Sequence, residues 1–162
     1  MINELLNENT KIKFINRPIA VPYNYRVIYK ISQIVLILGN VCKRGGCSNV
    51  KLHMISNALS SHSVLVELEK VLENTTEVLP IVRFEPALTR ALSFAIAEEL
   101  VEVQANSKFK LTVKGKDLYE QIIQDEELMI LEKIDLKNIK DKINDDVIDR
   151  IVKKWGTMNV TD

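Results

Sequence analysis

Between Pro86 and Ile123 the hydrophobic period changes twice, and each change marks a new element. Leu88, Ala91, Leu92, Ala95 and Ile96 recur at helical spacing, with Pro86 suited to a first turn where its missing N–H is harmless. Val101, Val103 and Ala105 then alternate with Glu102 and Gln104, the two-residue period of a half-buried strand. Asn106 and Ser107 fit a tight turn, and Phe109, Leu111 and Val113 alternate with Lys108, Lys110 and Thr112 on the return. Thr112 is placed to cap a following helix that carries Leu118, Ile122 and Ile123 and continues over 116–131. A helix running into a short hairpin and then another helix is the second half of a winged helix. The expected fold is therefore an α-dominated α+β domain: a helix-turn-helix with a β-hairpin wing, an N-terminal arm and a C-terminal helical extension.

The rest of the chain fills in around that stretch. Residues 1–22 hold no sustained period and contain Pro18 and Pro22; they read as an arm with a short strand at Lys11–Ile15. The winged-helix domain is expected over 23–131. Its first helix runs from Tyr25 to Leu38, with Ile28, Ile31, Ile34, Val35 and Leu38 turned to a core. Gly39, Gly45 and Gly46 should break it. Ser48 then caps a second helix with Val50, Leu52, Ile55 and Leu59 inward, and Ser63 opens a third containing Val64, Leu65, Leu68, Val71 and Leu72. Thr75 to Glu85, centred on Pro80, reads as an extended connection or edge strand. Residues 132–162 form an amphipathic extension and tail: from Asp135 to Trp155 a narrow seam of Ile143, Val147, Ile151 and Trp155 recurs every four residues among charges. A seam that ends on a tryptophan suits docking on a partner, so these four residues are candidate partner contacts.

Composition narrows the function classes. In 162 residues, 22 Lys plus Arg balance 22 Asp plus Glu, and a zero balance argues against a protein whose main task is gripping nucleic acid. No apolar run is long enough to span a membrane. The start, MINELLNENTKIKF, has polar and acidic residues where a secretory leader needs an apolar core. A cytoplasmic protein with reduced cysteines is expected.

The motif inventory is thin. No phosphate loop, dinucleotide fingerprint or nucleophile elbow is present. The only histidines are His53 and His62, so the chain is read as a non-enzyme with no cofactor and no small-molecule substrate. Cys42, Cys47, His53 and His62 are the right ligand types for zinc, but their spacing is wrong for a finger, and no metal is expected. For nucleic acid the helix before the hairpin is the element to judge. Its outward strip is Thr89, Arg90, Ser93 and Ala97, with a single positive charge, and Glu98 and Glu99 follow. The hairpin is better supplied: Lys108, Lys110, Lys114 and Lys116, joined by Lys43 and Arg44. Arg90 and the four wing lysines are thus candidate phosphate contacts, able to hold DNA weakly without reading sequence.

Three segments together carry a resemblance: NRP near the start, RFEPALTRALSFAIAEELVEV in the middle, and KLTVKGKDL after the wing. Over residues 14–120 the chain resembles the middle components of bacterial ABC three-component systems, of which the Lamassu type is best known. The resemblance implies a small winged-helix subunit between an SMC-like ABC ATPase and an effector, often a nuclease, in defence against phage and plasmids. It implies no catalytic residues. One departure stands out: Glu99 occupies the position before the first wing strand, where many winged helices have glycine. The alternative reading is a free-standing winged-helix transcriptional regulator, normally a dimer on a palindromic site.

Overall fold

The structure, a computed structural model, describes residues 20, 22–42, 45–76 and 82–158. A short 3-10 helix, Tyr23–Tyr25, leads into α1 (Val27–Val41), α2 (Asn49–Ser60), α3 (His62–Leu72) and α4 (Pro86–Ala97). The strands β1 (Val101–Val103) and β2 (Phe109–Leu111) follow, then α5 (Val113–Gln124), α6 (Ile130–Ile139) and α7 (Asp145–Met158). Helix dominates and the strands make one two-stranded antiparallel sheet, so the fold is an α-dominated α+β arrangement. No helix among the described residues is long and apolar enough to cross a membrane. The expected strand at Lys11–Ile15, most of the arm, and Lys43 and Arg44 lie outside the described residues.

Helix α1 is the axis of the molecule. Ile34 to Leu38 are buried one after another, so the helix is covered on every side and is no amphipathic surface helix. It packs against α2, α4, α5 and α6. Two expectations about it are corrected. Ile28 is exposed, because coverage begins only one turn further on. Gly39 does not end the helix, which runs on to Val41. A methyl group at Gly39 would stand 2.3 Å from the Tyr119 ring, so glycine here lets α5 lie close to the axis.

Capping works at two of the expected places. Ser48 Oγ accepts from Lys51 N at 3.3 Å to start α2, and Thr112 Oγ1 accepts from Gly115 N at 3.0 Å to start α5. Helix α3 begins one residue before Ser63, with Ser61 in the N-cap position. Between Thr75 and Glu85, residues 77–81 lie outside the described residues and 82–85 form no regular element.

The hairpin pairs Val101 with Leu111, Glu102 with Lys110 and Val103 with Phe109. Only its base is core: Val101 and Leu111 are buried, whereas Val103 is 54% exposed. Val113 is no strand residue but the exposed first residue of α5, because the Thr112 cap turns the chain into helix immediately. The hairpin also has a third partner. Cys47, between α1 and α2, exchanges two backbone hydrogen bonds of 2.8 Å with Phe109, on the side of β2 away from β1.

The C-terminal third departs most from expectation. The helix after the hairpin stops at Gln124, where the Asp125 carboxylate accepts from the N–H groups of Glu127 and Leu128 at 2.9 and 3.0 Å. What reads as one helix from Asp135 to Trp155 is two, α6 and α7, and the second restarts at Asn144, whose Oδ1 accepts from Val147 N at 2.9 Å. The seam of Ile143, Val147 and Ile151 is buried in the same core cluster as α1, with Trp155 half-buried against it. Ile143, Val147 and Ile151, expected as partner contacts, are therefore corrected to core residues, while Trp155 is only partly covered. The charges flanking the seam suggested a surface helix, yet the apolar side chains close the bottom of this chain's own core.

Candidate interaction surface

Helix α4 is held by its first turn. Pro86 occupies the start of the helix, and Glu85 just before it turns its carboxylate inward to Lys30, 2.8 Å away. Lys30 is fully buried, and its ammonium also donates to Gln33 Oε1 at 3.1 Å and Ser56 Oγ at 3.3 Å. Ser56 donates to the same Gln33 oxygen at 2.8 Å. His53 completes the cluster: its Nδ1 accepts from Glu85 N at 3.2 Å and its ring lies 4.8 Å from that of Phe84. Burial holds the imidazole pKa below its ordinary value and so favours the neutral form that can accept. This polar knot joins α1, α2 and the start of α4. The sequence carried one sign of it, Lys30 and Gln33 three apart within an otherwise apolar helix face.

Leu88, Ala91, Leu92 and Ala95 face the core, and Thr89, Arg90, Ser93 and Ala97 face out, as the periodicity indicates. The two hydroxyls are turned back on their own helix: Thr89 donates to Glu85 O at 3.3 Å and Ser93 to Thr89 O at 3.1 Å. Arg90 stands exposed beside Phe94, which is 49% exposed, and Ile96 and Val103 also reach solvent. The outward face of α4 is thus mixed: Phe94, Ile96 and Ala97 lie among Thr89, Ser93 and a single guanidinium, that of Arg90.

The lysines in and after the hairpin are not a free basic patch. Lys108 Nζ lies 2.6 Å from Asp145 Oδ2 at the start of α7, and Lys51, whose side chain is only 4% exposed, holds the other oxygen at 3.0 Å. Burial pushes the Asp145 pKa up, but hydrogen bonds from Lys108 and Lys51 outweigh it and hold the carboxyl below its usual range. The same bond to Asp145 raises Lys108. Lys114 donates to Glu98 O at 2.7 Å, with the Glu98 carboxylate 3.8 Å away. Lys110, Lys114 and Lys116 share a shallow groove with Glu99 and Glu102. Charge alternates across this face, which weakens any pull on a phosphate backbone. Lys51 and Asp145 were not singled out in the sequence, and no periodic signal marks either.

Cys42 and Cys47 are both free and buried. His53 belongs to the polar knot and His62 is an exposed residue at the start of α3. Among the described residues no three His, Cys, Asp or Glu side chains converge as metal ligands. An open cleft of about 1100 Å³ lies between α2, α3 and the approach to α4. Its three serines are engaged: Ser60 donates to Ser56 O, and the Ser61 and Ser63 hydroxyls meet at 2.9 Å.

A second set of apolar side chains faces solvent near the far end of α5 and along α6: Ile123, Leu128, Ile130, Leu131 and Ile134, of which Leu131 is 74% exposed. Helix α6 itself is anchored to the axis by the Tyr29 hydroxyl, which donates to Glu132. No family model, curated protein or solved structure matches the chain.

Proposed function

We propose that the chain is a non-enzymatic winged-helix subunit that bridges an SMC-like ABC ATPase and an effector nuclease in a prokaryotic defence complex. The winged-helix reading is supported by element order. Helix α1 leads to a strand-like residue, Cys47, and then to α2 and α3; α4 follows, and then a hairpin whose second strand pairs back to Cys47. In that reading α4 is the helix that a DNA-binding member would insert into a major groove.

The observation that carries the bridging role is the character of that helix. Its outward face offers Phe94, Ile96, one arginine and two hydroxyls turned back on the helix, while the lysines beside it are paired with or interleaved among carboxylates. Exposed apolar side chains of this kind mark protein contacts more often than nucleic-acid contacts. The second apolar set, on α5 and α6, supplies another face, as a bridging subunit requires.

Co-expression with the products of neighbouring genes tests the proposal. The expected result is a stable complex containing this chain, an SMC-like ATPase and a nuclease. A lone dimer that binds one promoter fragment a thousandfold better than bulk DNA at physiological salt would replace it with the regulator reading.

A further inference from the structure

The exposed side of α6 carries an inference that the bridging role alone does not contain. Ile130, Leu131 and Ile134 lie along one side of the helix, whereas Leu136 and Ile139 on the other side are buried in the core. Ile123 and Leu128 carry the exposed side across the turn from α5. A contiguous set of large apolar side chains in solvent marks a contact surface. The surface is also held in shape. Asp125 accepts from the N–H groups of Glu127 and Leu128, Lys133 donates to the Asp125 carbonyl, and Tyr29 donates to Glu132 from α1. A partner therefore meets a face that needs little ordering of its own.

Charge decides what that partner is. The chain as a whole is neutral, yet between Glu120 and Lys137 six carboxylates stand against two lysines. Glu126 and Glu127 are exposed beside Leu128 and take part in none of the ion pairs among the described residues. Of the two lysines, Lys133 is engaged with the Asp125 carbonyl, and Lys137 stands a turn beyond Ile134, at the far end of the stripe. Such a rim repels the phosphates of nucleic acid and of an anionic lipid surface. A second copy fits no better. Turned face to face it would set the same carboxylates against each other. The outward face of its α4 brings one guanidinium, bordered by Glu98 and Glu99.

We propose that the α5–α6 face is the docking site for a basic amphipathic helix of a partner protein. Apolar side chains of that helix cover Leu131 and Ile134, and lysines or arginines at one end of it meet Glu126 and Glu127. Burial of the apolar stripe supplies the affinity, while the carboxylates set the orientation and exclude acidic competitors. The proposal rests on the bridging reading in taking the occupant to be another subunit, while the chemistry of the face is tested apart from it.

Two fluorescent helical peptides test it, with the same leucine spacing but lysine in one and glutamate in the other at the polar positions. Each is titrated with the full-length protein and read by anisotropy. The lysine peptide should bind at least tenfold more tightly, and its advantage should shrink as salt rises. Leu131→Ser, at an exposed position, should weaken the lysine peptide at least tenfold without moving the melting temperature. Glu126→Gln combined with Glu127→Gln should erase the preference between the peptides. Equal binding of the two peptides to the wild type, or lysine-peptide binding indifferent to Leu131→Ser, would overturn the proposal. A wild-type dimer that Leu131→Ser turns into a monomer would overturn it in favour of a second copy. A preserved peptide preference in a chain that assembles with neither ATPase nor nuclease would support the face and count against the bridging reading alone.

Discussion

Lys108, next to the hairpin turn, holds Asp145, the first residue of α7, through an ion pair of 2.6 Å. The pair fastens the hairpin to the C-terminal helix, and Lys51 shares the same carboxylate from beneath. A lysine positioned to meet a phosphate is thereby committed within the chain.

Replacing Asp145 by Asn should therefore destabilise the fold, because Lys51 stays buried without its counter-charge. The carboxylate is partly exposed, which discounts the effect to about 1–2 kcal/mol in a urea titration at neutral pH. The pH dependence has a definite sign. The folded pKa of Asp145 is lowered, so its contribution is complete above the ordinary aspartate value, about 4, and is lost as pH falls through the lower folded value. The gap in stability between wild type and Asp145→Asn should narrow below about pH 4; a gap that persists unchanged at pH 2 counts against the ion pair.

The Lys30–Glu85 pair makes a sharper case, since the ammonium is fully buried. Glu85→Ala strands that charge and should cost about 3–5 kcal/mol, measured by denaturant unfolding. Lys30→Met removes the charge and keeps most of the side chain's length, so it should be milder. Equal losses for both variants would show that the pair acts only through packing.

Glu99 has φ = 58°, the left-handed conformation that side chains resist, and Thr112 Oγ1 donates to its carbonyl at 2.5 Å. The departure noted in the sequence thus falls at a position whose backbone is the one glycine prefers. Glu99→Gly should cause no loss of stability and a gain of up to about 1 kcal/mol. Glu98→Gly, one residue earlier at φ = −81°, should lower the melting temperature instead.

How much of this was legible beforehand depended on what kind of signal each element left. The helix before the hairpin, the hairpin itself and the Ser48 and Thr112 caps all followed from local periodicity and cap chemistry. Gly115 was not read as a packing position: a methyl there would stand 2.0 Å from Leu100 O, a contact that appears only once α5 passes the residue before β1. Long-range pairings were not legible. Lys51 meets Asp145 across 94 residues of chain, and nothing in either neighbourhood announces the other. The break between α6 and α7 was missed because Ile139 and Ile143 keep helical spacing across it, while Asn144 acts as a cap only once the chain has turned. The burial of the C-terminal seam was undecidable from amphipathicity alone, which is the same for a helix docked on its own domain and one docked on a partner.

Truncation after Glu132 tests whether the C-terminal helices belong to the core. It removes Leu136, Ile139, Ile143, Ile148 and Ile151, all buried in the common core. The shortened protein should unfold or aggregate by itself, visible as loss of a cooperative thermal transition. A truncated chain that melts like the full one would show that α6 and α7 are dispensable to the fold.

The central claim, that the outward face of α4 meets protein in preference to DNA, is tested most directly by assembly with the ATPase and nuclease partners. The measurement is the affinity of Phe94→Glu and of the double variant Arg90→Ala, Lys110→Ala for that complex. Phe94→Glu should weaken assembly at least tenfold, whereas the charge-removing variant should assemble as wild type does. The reverse result, with assembly intact in Phe94→Glu and DNA binding abolished in the charge-removing variant, would contradict the account.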